Sequence, residues 1–558
     1  MKGKIFRFRL VLAGALAVQL ILQAWFALSH SSAFDEPFFI SAGLTLWNTG
    51  RDGVLVDQPP AAKRLYGLSA VLAGGVCEPG KRDYMGAWTL YRLNRDRVWP
   101  ILLSCRAAAI AASLLLTLVT ALWALELAGP AAGALAACFL ALEPNTLALG
   151  SLATADILLS LALMLFVRSA WRIFSGTGGL RGAAMAGLWA GLALSTKYSA
   201  LGYLPAIFLA AALARLITTG KNPVPPRPIW AAGLGASAAL GAVLLLFSFH
   251  IRFWDAGFGK GGPFSWSPVG FAGDPLNDFV MGVMMIFSWV NVDVPVFILG
   301  RLWSGRLPWY FPAAILLKIQ LGLLLAAAAT LAFHLWRPGR TRPERARSRP
   351  PLARRNRPIR RTGMVSALLP AFCIVAVLAV AAFSRLHVGI RHVHVVFPLF
   401  AVLAAGLAGP LLNRPKLRAI LAGLFLLWCA GSTARSFPHF LAHFNELAGG
   451  PGGGWRFLAD SNLDWGQDLP ELSRWCRENG IKQIPLEYFG NSDPAWWGVP
   501  AVPFRDHGSP GYRPGLAAVS VGAIDGVLSH DLARFAWCRG MKPVATPGWS
   551  IRIYDLRK

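Results

Sequence analysis

The sequence predicts a polytopic α-helical membrane protein with about 11 transmembrane helices and a small soluble α/β domain at its C-terminal end. Three observations carry this. Hydrophobic residues make up 55% of the 558-residue chain and charged residues only 15%, against roughly a quarter charged in soluble proteins; mean hydropathy is +0.49. Several apolar runs approach or exceed the roughly 20 residues that cross a bilayer. Beyond residue 434 the chain changes to mixed charge, with turn clusters such as GGPGGG and short strand-like runs such as AAVSVG and SIRIYD.

The net charge of +27 raises a nucleic-acid reading, which its distribution argues against. Residues 337–362 hold 11 Arg against one Glu, whereas residues 435–558 hold 13 basic and 12 acidic residues. The excess therefore sits in the membrane half, above all in one inter-helix loop, as the positive-inside bias requires. An Arg/Pro-rich cytoplasmic loop against anionic lipid accounts for it. No nucleic-acid partner is expected.

In chain order, a short basic start precedes an apolar run over 10–29. A cleaved signal peptide competes here, but the run is longer than a usual signal core, and we read it as a first spanning helix with its N-terminus inside. Residues 31–99 form a first external loop. Within it, 38–46 and 61–73 suit interfacial amphipathic helices, parted by an Asn-Thr-Gly turn and the Pro59-Pro60 break. Further spans are expected at 100–127, 130–149, 152–170, 182–197, 200–218, 230–250, 309–336, 363–383, 395–412 and 416–434. A second external loop, 251–308, carries interface tryptophans including Trp254, Trp266, Trp289 and Trp303.

Alternating sides places Arg172/Arg181, Lys221/Arg227, the 337–362 loop and Arg414/Lys416/Arg418 all in the cytoplasm. Four loops agree on one orientation. A transmembrane domain over 1–434 and an external α/β domain over 435–558 follow, with a helix at 469–478 in the latter.

Seven Cys lack metal-ligand spacing. Cys105, Cys138, Cys373 and Cys429 fall in apolar helices as small core residues. Cys77, Cys476 and Cys538 fall outside, where a Cys476–Cys538 disulfide stays open. His387, His392 and His394 have no carboxylate or Cys nearby in sequence, and His439 and His443 lack the Glu of a zinc-protease motif. No metal and no cofactor are expected.

On this topology several ionisable residues gather at the external leaflet: Asp35 and Glu36, Lys63 and Arg64, Arg106, Asp156, Lys197 beside Tyr198, and Arg385, His387, Arg391 and His392. Each also has a bland reading. Asp35 before Glu36-Pro37 makes a good helix N-cap, Lys197 could snorkel, and Asp156 could cap a helix. Together they describe a cavity with a few carboxylates and many cations, suited to an anionic phosphate and a nucleophile that needs a base. The segment 460–468, DSNLDWGQD, reads either as a turn with a helix N-cap or as a lip at which Asp464 and Trp465 contact an acceptor.

Asp35-Glu36-Pro37, the Gln58-Pro59-Pro60-Ala61-Ala62-Lys63 segment, Thr154-Ala155-Asp156 and Thr196-Lys197-Tyr198 resemble motifs of the dolichyl-phosphate-mannose–protein mannosyltransferase superfamily. More narrowly, the chain resembles bacterial family 39 glycosyltransferases of the GT-C fold, which include the lipid A aminoarabinose transferases. The segments 387–392 and FNELAGGPGGGWRFLADSNLDWGQDLPEL look like a branch with an external C-terminal domain. Gln58 and Leu149 depart from the family, which often has His at both places; this bears on the acceptor and carrier contacts more than on the fold.

The resemblance implies an inverting membrane glycosyltransferase. It would move a monosaccharide from a polyprenyl-phosphate-linked donor to a protein, glycolipid or glycan acceptor at the outer face of the cytoplasmic membrane. By carry-over Asp35 is the general base, and Glu36 and Asp156 orient acceptor or sugar. Lys63, Arg106, Lys197 and Arg391 hold the departing phosphate, with Tyr198, His387 and His392 as further contacts. A secondary transporter or lipid flippase is the rival class, but it should show paired halves and interrupted helices at matching positions, and neither is found. A non-enzymatic envelope scaffold is a third reading, under which the acids of the first loop would be dispensable.

Overall fold

Helix α1 (Lys2–Ser29) is continuous and ends in a polar turn that leads to α2 (Glu36–Thr49). Pro37 in the first turn of α2 costs no hydrogen bond, because those N–H groups have no intrahelical partner. Pro60 likewise opens α3 (Pro60–Leu72). Helices are thus present at the expected 38–46 and 61–73. They cross backbone to backbone at two glycines. A Cβ on Gly43 would lie 2.4 Å from the Lys63 carbonyl oxygen, and one on Gly67 would lie 2.4 Å from the Gly43 carbonyl oxygen. Only a residue without a side chain permits that approach.

This computed structural model describes residues 2–49, 55, 57–78, 86–219, 234–243, 275–290, 294–336, 362–409, 415–505, 515–527 and 533–557. The expectations for the basic loop over 337–361, for Lys221, Arg227 and Arg414, and for 251–274 with Trp254 and Trp266 lie outside them.

Within the described residues the expected spans are helical, with two informative breaks. α4 (Val98–Ala128) is long and unbroken. The stretch expected as one helix over 130–149 is two, α5 (Pro130–Ala141) and α6 (Pro144–Leu149). The buried Glu143 side chain accepts from the Thr146 amide at 2.6 Å and caps α6, with Pro144 behind it. α7 (Ala155–Phe174), α8 (Gly179–Leu194) and α9 (Ala200–Thr219) follow. α10 (Leu234–Val243) is the described part of the next expected span, and α11 (Pro275–Val290) is an apolar helix where a loop was expected.

The second break lies in the expected span 309–336. It splits into α12 (Tyr310–Lys318) and α13 (Leu321–Trp336), bent by 114°. Polar side chains at the bend explain it. The Gln320 amide donates to the carbonyls of Leu142 and Cys429 and to Thr433 Oγ1, while Lys318 Nζ donates to the carbonyls of Leu441 and Asn462. α14 (Thr362–Ala381), α15 (Val396–Ala405) and α16 (Pro415–Ser436) complete the helical part. Among the described residues five helices are long and apolar enough to cross a bilayer, or six with the bent pair, against the 11 expected. The difference is made up largely by shorter apolar helices such as α5, α10, α14 and α15.

The C-terminal part holds α17 (Leu469–Glu478), with the expected bounds, and a four-stranded mixed sheet. The strands are β3 (Ile484–Glu487), β4 (Ala501–Pro503), β5 (Leu516–Ser520) and β6 (Ile551–Asp555), in the order β4-β3-β5-β6. β3 pairs parallel with β4 and β5, and β6 closes the edge antiparallel to β5. A hairpin, β1 (Val296–Ile298) and β2 (Arg301–Trp303), precedes α12. The main core continues from the helices into this part, taking in Trp465, Phe489, Val519 and Tyr554. A second core, including Leu472 and Ile553, lies between α17 and the sheet. All seven cysteines are free thiols; Cys476 and Cys538 sit in different cores, so the disulfide left open by the sequence is not formed.

Candidate functional site

The turn between α1 and α2 is stitched directly to the C-terminal part. The Ser31 amide donates to the Gln467 carbonyl at 2.9 Å and the Phe34 amide to the Trp465 carbonyl at 2.8 Å. Asn491 Nδ2 donates to the Phe34 carbonyl at 3.1 Å. Asp35 and the C-terminal part therefore lie at the same end of the helices.

Beside that seam is a cavity of about 690 Å³. Asp35, Asp156, Lys197, Tyr198, Arg391 and His392 line it, and its remaining wall is largely apolar, with Phe34, Phe38, Phe383 and Ile286. Four charges form a row. Lys197 Nζ donates to Asp156 Oδ1 at 2.7 Å. Arg391 Nη1 lies 3.9 Å from Asp156 Oδ2 and donates to Asp35 Oδ2 at 2.5 Å. Asp156 is all but fully buried, whereas the Asp35 side chain is 25% exposed, so of the two acids in the row Asp35 is the more open to the cavity.

Arg391 comes from a short 3-10 turn, Ile390–Val393, set by the Ile390 amide donating to Asn462 Oδ1. Its guanidinium lies 4.4 Å from the Trp465 ring centroid, a cation–π placement. Burial opposes the charge of Arg391, but Asp35 and Asp156 outweigh it and hold the group firmly protonated. His392 is driven well below the usual imidazole range by burial and by Lys197 and Arg391. Its Nε2 is buried with no hydrogen-bond partner among the described residues, so a neutral ring is available in the wall.

Other expected site residues are not on this wall. Arg106 is fully buried and commits all five N–H donors. Nε and Nη2 go to Glu36 at 3.0 and 2.7 Å, Nη1 to the carbonyls of Ala27 and His30, and Nη2 also to that of Ser31. Glu36 accepts in addition from the amides of Ala33 and Ala153. The pair is a clasp that fixes the end of α1, the Asp35 turn and the turn before α7; neither member has a group left for a phosphate or an acceptor. Lys63 is fully buried and is not among the residues lining the cavity; its Nζ donates to the carbonyl of Leu55, which does line it, at 3.2 Å. His387 packs against the rings of Tyr310 and Phe311 in a separate small cavity.

Asp464 and Trp465 are both buried. Asp464 accepts from the amides of Gly466 and Gly522, and burial raises its carboxyl to about 7. Trp465 gives a face to Arg391 and so is not an open platform for a sugar. Of the two readings of this segment, the geometry is that of the turn.

Three features escaped the sequence reading. Asp460, half-buried and raised to about 6 by desolvation, sits close enough to Arg391 to act on its charge. Asp57 reaches the cavity wall beside Gln58, which the family-like segment had already singled out. His30, His439 and Asp468 converge, although His439 is 409 residues beyond His30 in the chain. None has a local signal, since each depends on how distant turns meet.

No protein-family model matches the chain, and no curated protein matches it in sequence. Among solved structures it is similar to ArnT from Cupriavidus metallidurans bound to undecaprenyl phosphate, at 13% identity over 98% of this chain and 97% of that one, with a TM-score of 0.47. The apo state of that protein gives 13% identity, 98% and 96% coverage and a TM-score of 0.46. The Archaeoglobus fulgidus oligosaccharyltransferase in its apo form gives 14% identity over 76% of this chain and 55% of that one, with a TM-score of 0.41.

Proposed function

We propose that this chain is a membrane glycosyltransferase of the GT-C, family 39 type, which transfers a monosaccharide from a polyprenyl-phosphate-linked donor to an acceptor at the outer face of the membrane. The observation that carries the reading is the charge row. A partly exposed carboxylate, Asp35, faces a largely apolar cavity and is held only by Arg391 among the described residues. The family-like motifs around Asp35, Asp156 and Lys197 agree with it.

In this reading Asp35 is the general base, and its pairing with Arg391 sets the order of events. While Arg391 Nη1 donates to Asp35 Oδ2, that oxygen is occupied and is not free to receive the acceptor's proton. A donor phosphate competes for Arg391 and, in drawing it away, frees Asp35 to take the acceptor proton. Lys197 is the second cation within reach of the phosphate, and the Asp156 carboxylate holds it in place. The apolar wall suits the first isoprene units, and neutral His392 supplies a hydrogen bond to sugar or phosphate.

The experiment is single-turnover transfer by purified protein from a panel of labelled polyprenyl-phosphate sugars, with the labelled product identified. Transfer from one donor, abolished by Asp35→Asn, supports the reading. No transfer from any donor, together with substrate movement across proteoliposome membranes, would favour the transporter class instead.

A further inference from the structure

The turn after α1 holds a second cluster, behind the Arg106 clasp and away from the cavity. His30 Nε2 lies 3.0 Å from His439 Nδ1 and 3.6 Å from Asp468 Oδ1, and His439 Nδ1 lies 3.5 Å from the same oxygen. We propose that these three atoms bind a first-row divalent cation of the zinc class, which clips the C-terminal part to the end of α1.

Spacing is the first argument. A tetrahedral ion with bonds of about 2.0–2.2 Å needs donor atoms about 3.3–3.6 Å apart, and the three edges here scatter around that value. The second argument concerns protons. His30 Nδ1 lies 3.0 Å from the Phe26 carbonyl, which can only accept, so Nδ1 carries the hydrogen and Nε2 presents a lone pair to the cluster. Asp468 Oδ2 accepts from Ser550 Oγ at 2.6 Å and from Gln467 Nε2 at 3.0 Å. Its Oδ1 is buried, points at the two rings and has no hydrogen-bond partner among the described residues. A hydrogen on His439 Nδ1 satisfies His30 at 3.0 Å and leaves Oδ1 stranded opposite a lone pair. A cation within the triangle satisfies all three atoms.

The surroundings also match a metal site. Imidazole ligands normally donate their other ring N–H to a carbonyl, and ligating carboxylates are hydrogen-bonded through their second oxygen; Phe26 and Ser550 fill those two roles. Two nitrogens and one carboxylate oxygen suit zinc better than magnesium or calcium. The His439 side chain is 15% exposed and gives the fourth position a path to water. The effect is architectural. The ion joins the end of α1, the turn beyond α16 and the N-terminus of α17, and it steadies His30, whose carbonyl accepts from Arg106 at 2.9 Å. This inference stands apart from the glycosyltransferase reading.

The test uses the full-length, tag-free protein in detergent, stripped with a chelator and titrated with Zn²⁺ alone. One equivalent should survive desalting, the melting temperature should rise on loading, and Co²⁺ in its place should give the visible absorption of a tetrahedral site. His439→Ala, at the exposed corner, should stay monodisperse and lose both the ion and the melting shift. His443→Ala should keep them, because His443 is occupied with Ser436 Oγ. Failure of the wild type to retain zinc would overturn the proposal. So would zinc retention unchanged in His439→Ala, or zinc lost with Asp35→Asn in its stead.

Discussion

Arg106 and Glu36 meet at 2.7 Å with both side chains fully out of solvent, in the residue position next to the acid that faces the cavity. A buried ion pair adds little net stability over an apolar pair of the same shape, but removing one partner strands a charge. What this pair supplies is position: five donors and their acceptors tie three turns into one unit that carries Asp35.

Arg106→Met should therefore act on folding before catalysis. Loss of a buried partner costs about 3–5 kcal/mol, which should appear as a sharply lower melting temperature and a smaller monodisperse fraction in detergent. Arg106→Lys should rescue little, because an ammonium cannot reproduce the planar fork. If Arg106→Met keeps wild-type stability and only weakens donor binding, Arg106 is a phosphate ligand after all.

At the crossing of α2 and α3, Gly67→Ala should place a methyl 2.4 Å from the Gly43 carbonyl oxygen. Overpacking of that kind costs about 1–3 kcal/mol. The expected outcome is a lower melting temperature with a loss of activity, since the movement is passed to the Asp35 turn through the start of α2. Unaltered melting would show that the two helices are free to separate.

The elements that repeat a local pattern were legible in the sequence. The long apolar helices, α2 and α3 and α17 were all readable from periodicity and from Pro and Gly punctuation. So was the convergence of Asp35, Asp156, Lys197 and Arg391, because the topology alone brings their turns to one end. The breaks at Glu143 and Gln320 were not, since each arises from a polar side chain whose partners are backbone or distant groups. Arg106 illustrates the same limit. The family resemblance made it a phosphate ligand, but only the folded turn shows that Glu36 and carbonyls from the end of α1 consume its donors.

The C-terminal part should lose stability as pH rises. Burial raises Asp464 from its ordinary value near 4 to about 7, so the folded state holds a proton that the unfolded chain releases from about pH 4 upward. Between those values the folded state binds more protons, and stability falls with increasing pH. Hydrogen exchange of the Gly466 and Gly522 amides should be slower at pH 5.5 than at pH 8 after correction for intrinsic rates. Asp464→Asn should flatten the difference. An equal or opposite pH trend in the wild type would place a charged carboxylate there.

The sharpest prediction separates the two residues of the Asp35–Arg391 pair. If Asp35 takes the acceptor proton, Asp35→Asn removes a contribution of about 10²–10⁴-fold, or roughly 3–5 kcal/mol of barrier at 1.36 kcal/mol per decade. The variant should fold, because Asp35 is partly exposed and the neighbouring clasp is intact. It should also bind donor at least as well as the wild type, since Arg391 no longer has a carboxylate competing with the phosphate. Arg391→Gln should do the reverse: donor affinity falls, while single-turnover transfer at saturating donor falls less than in Asp35→Asn. Measuring donor affinity and single-turnover rate on the same preparations distinguishes the roles. Weaker donor binding in Asp35→Asn would mean that the acid holds the donor, not the proton. Near-normal turnover would pass the role of base to Asp156, which accepts from Lys197 Nζ at 2.7 Å and would have to give up that partner to act.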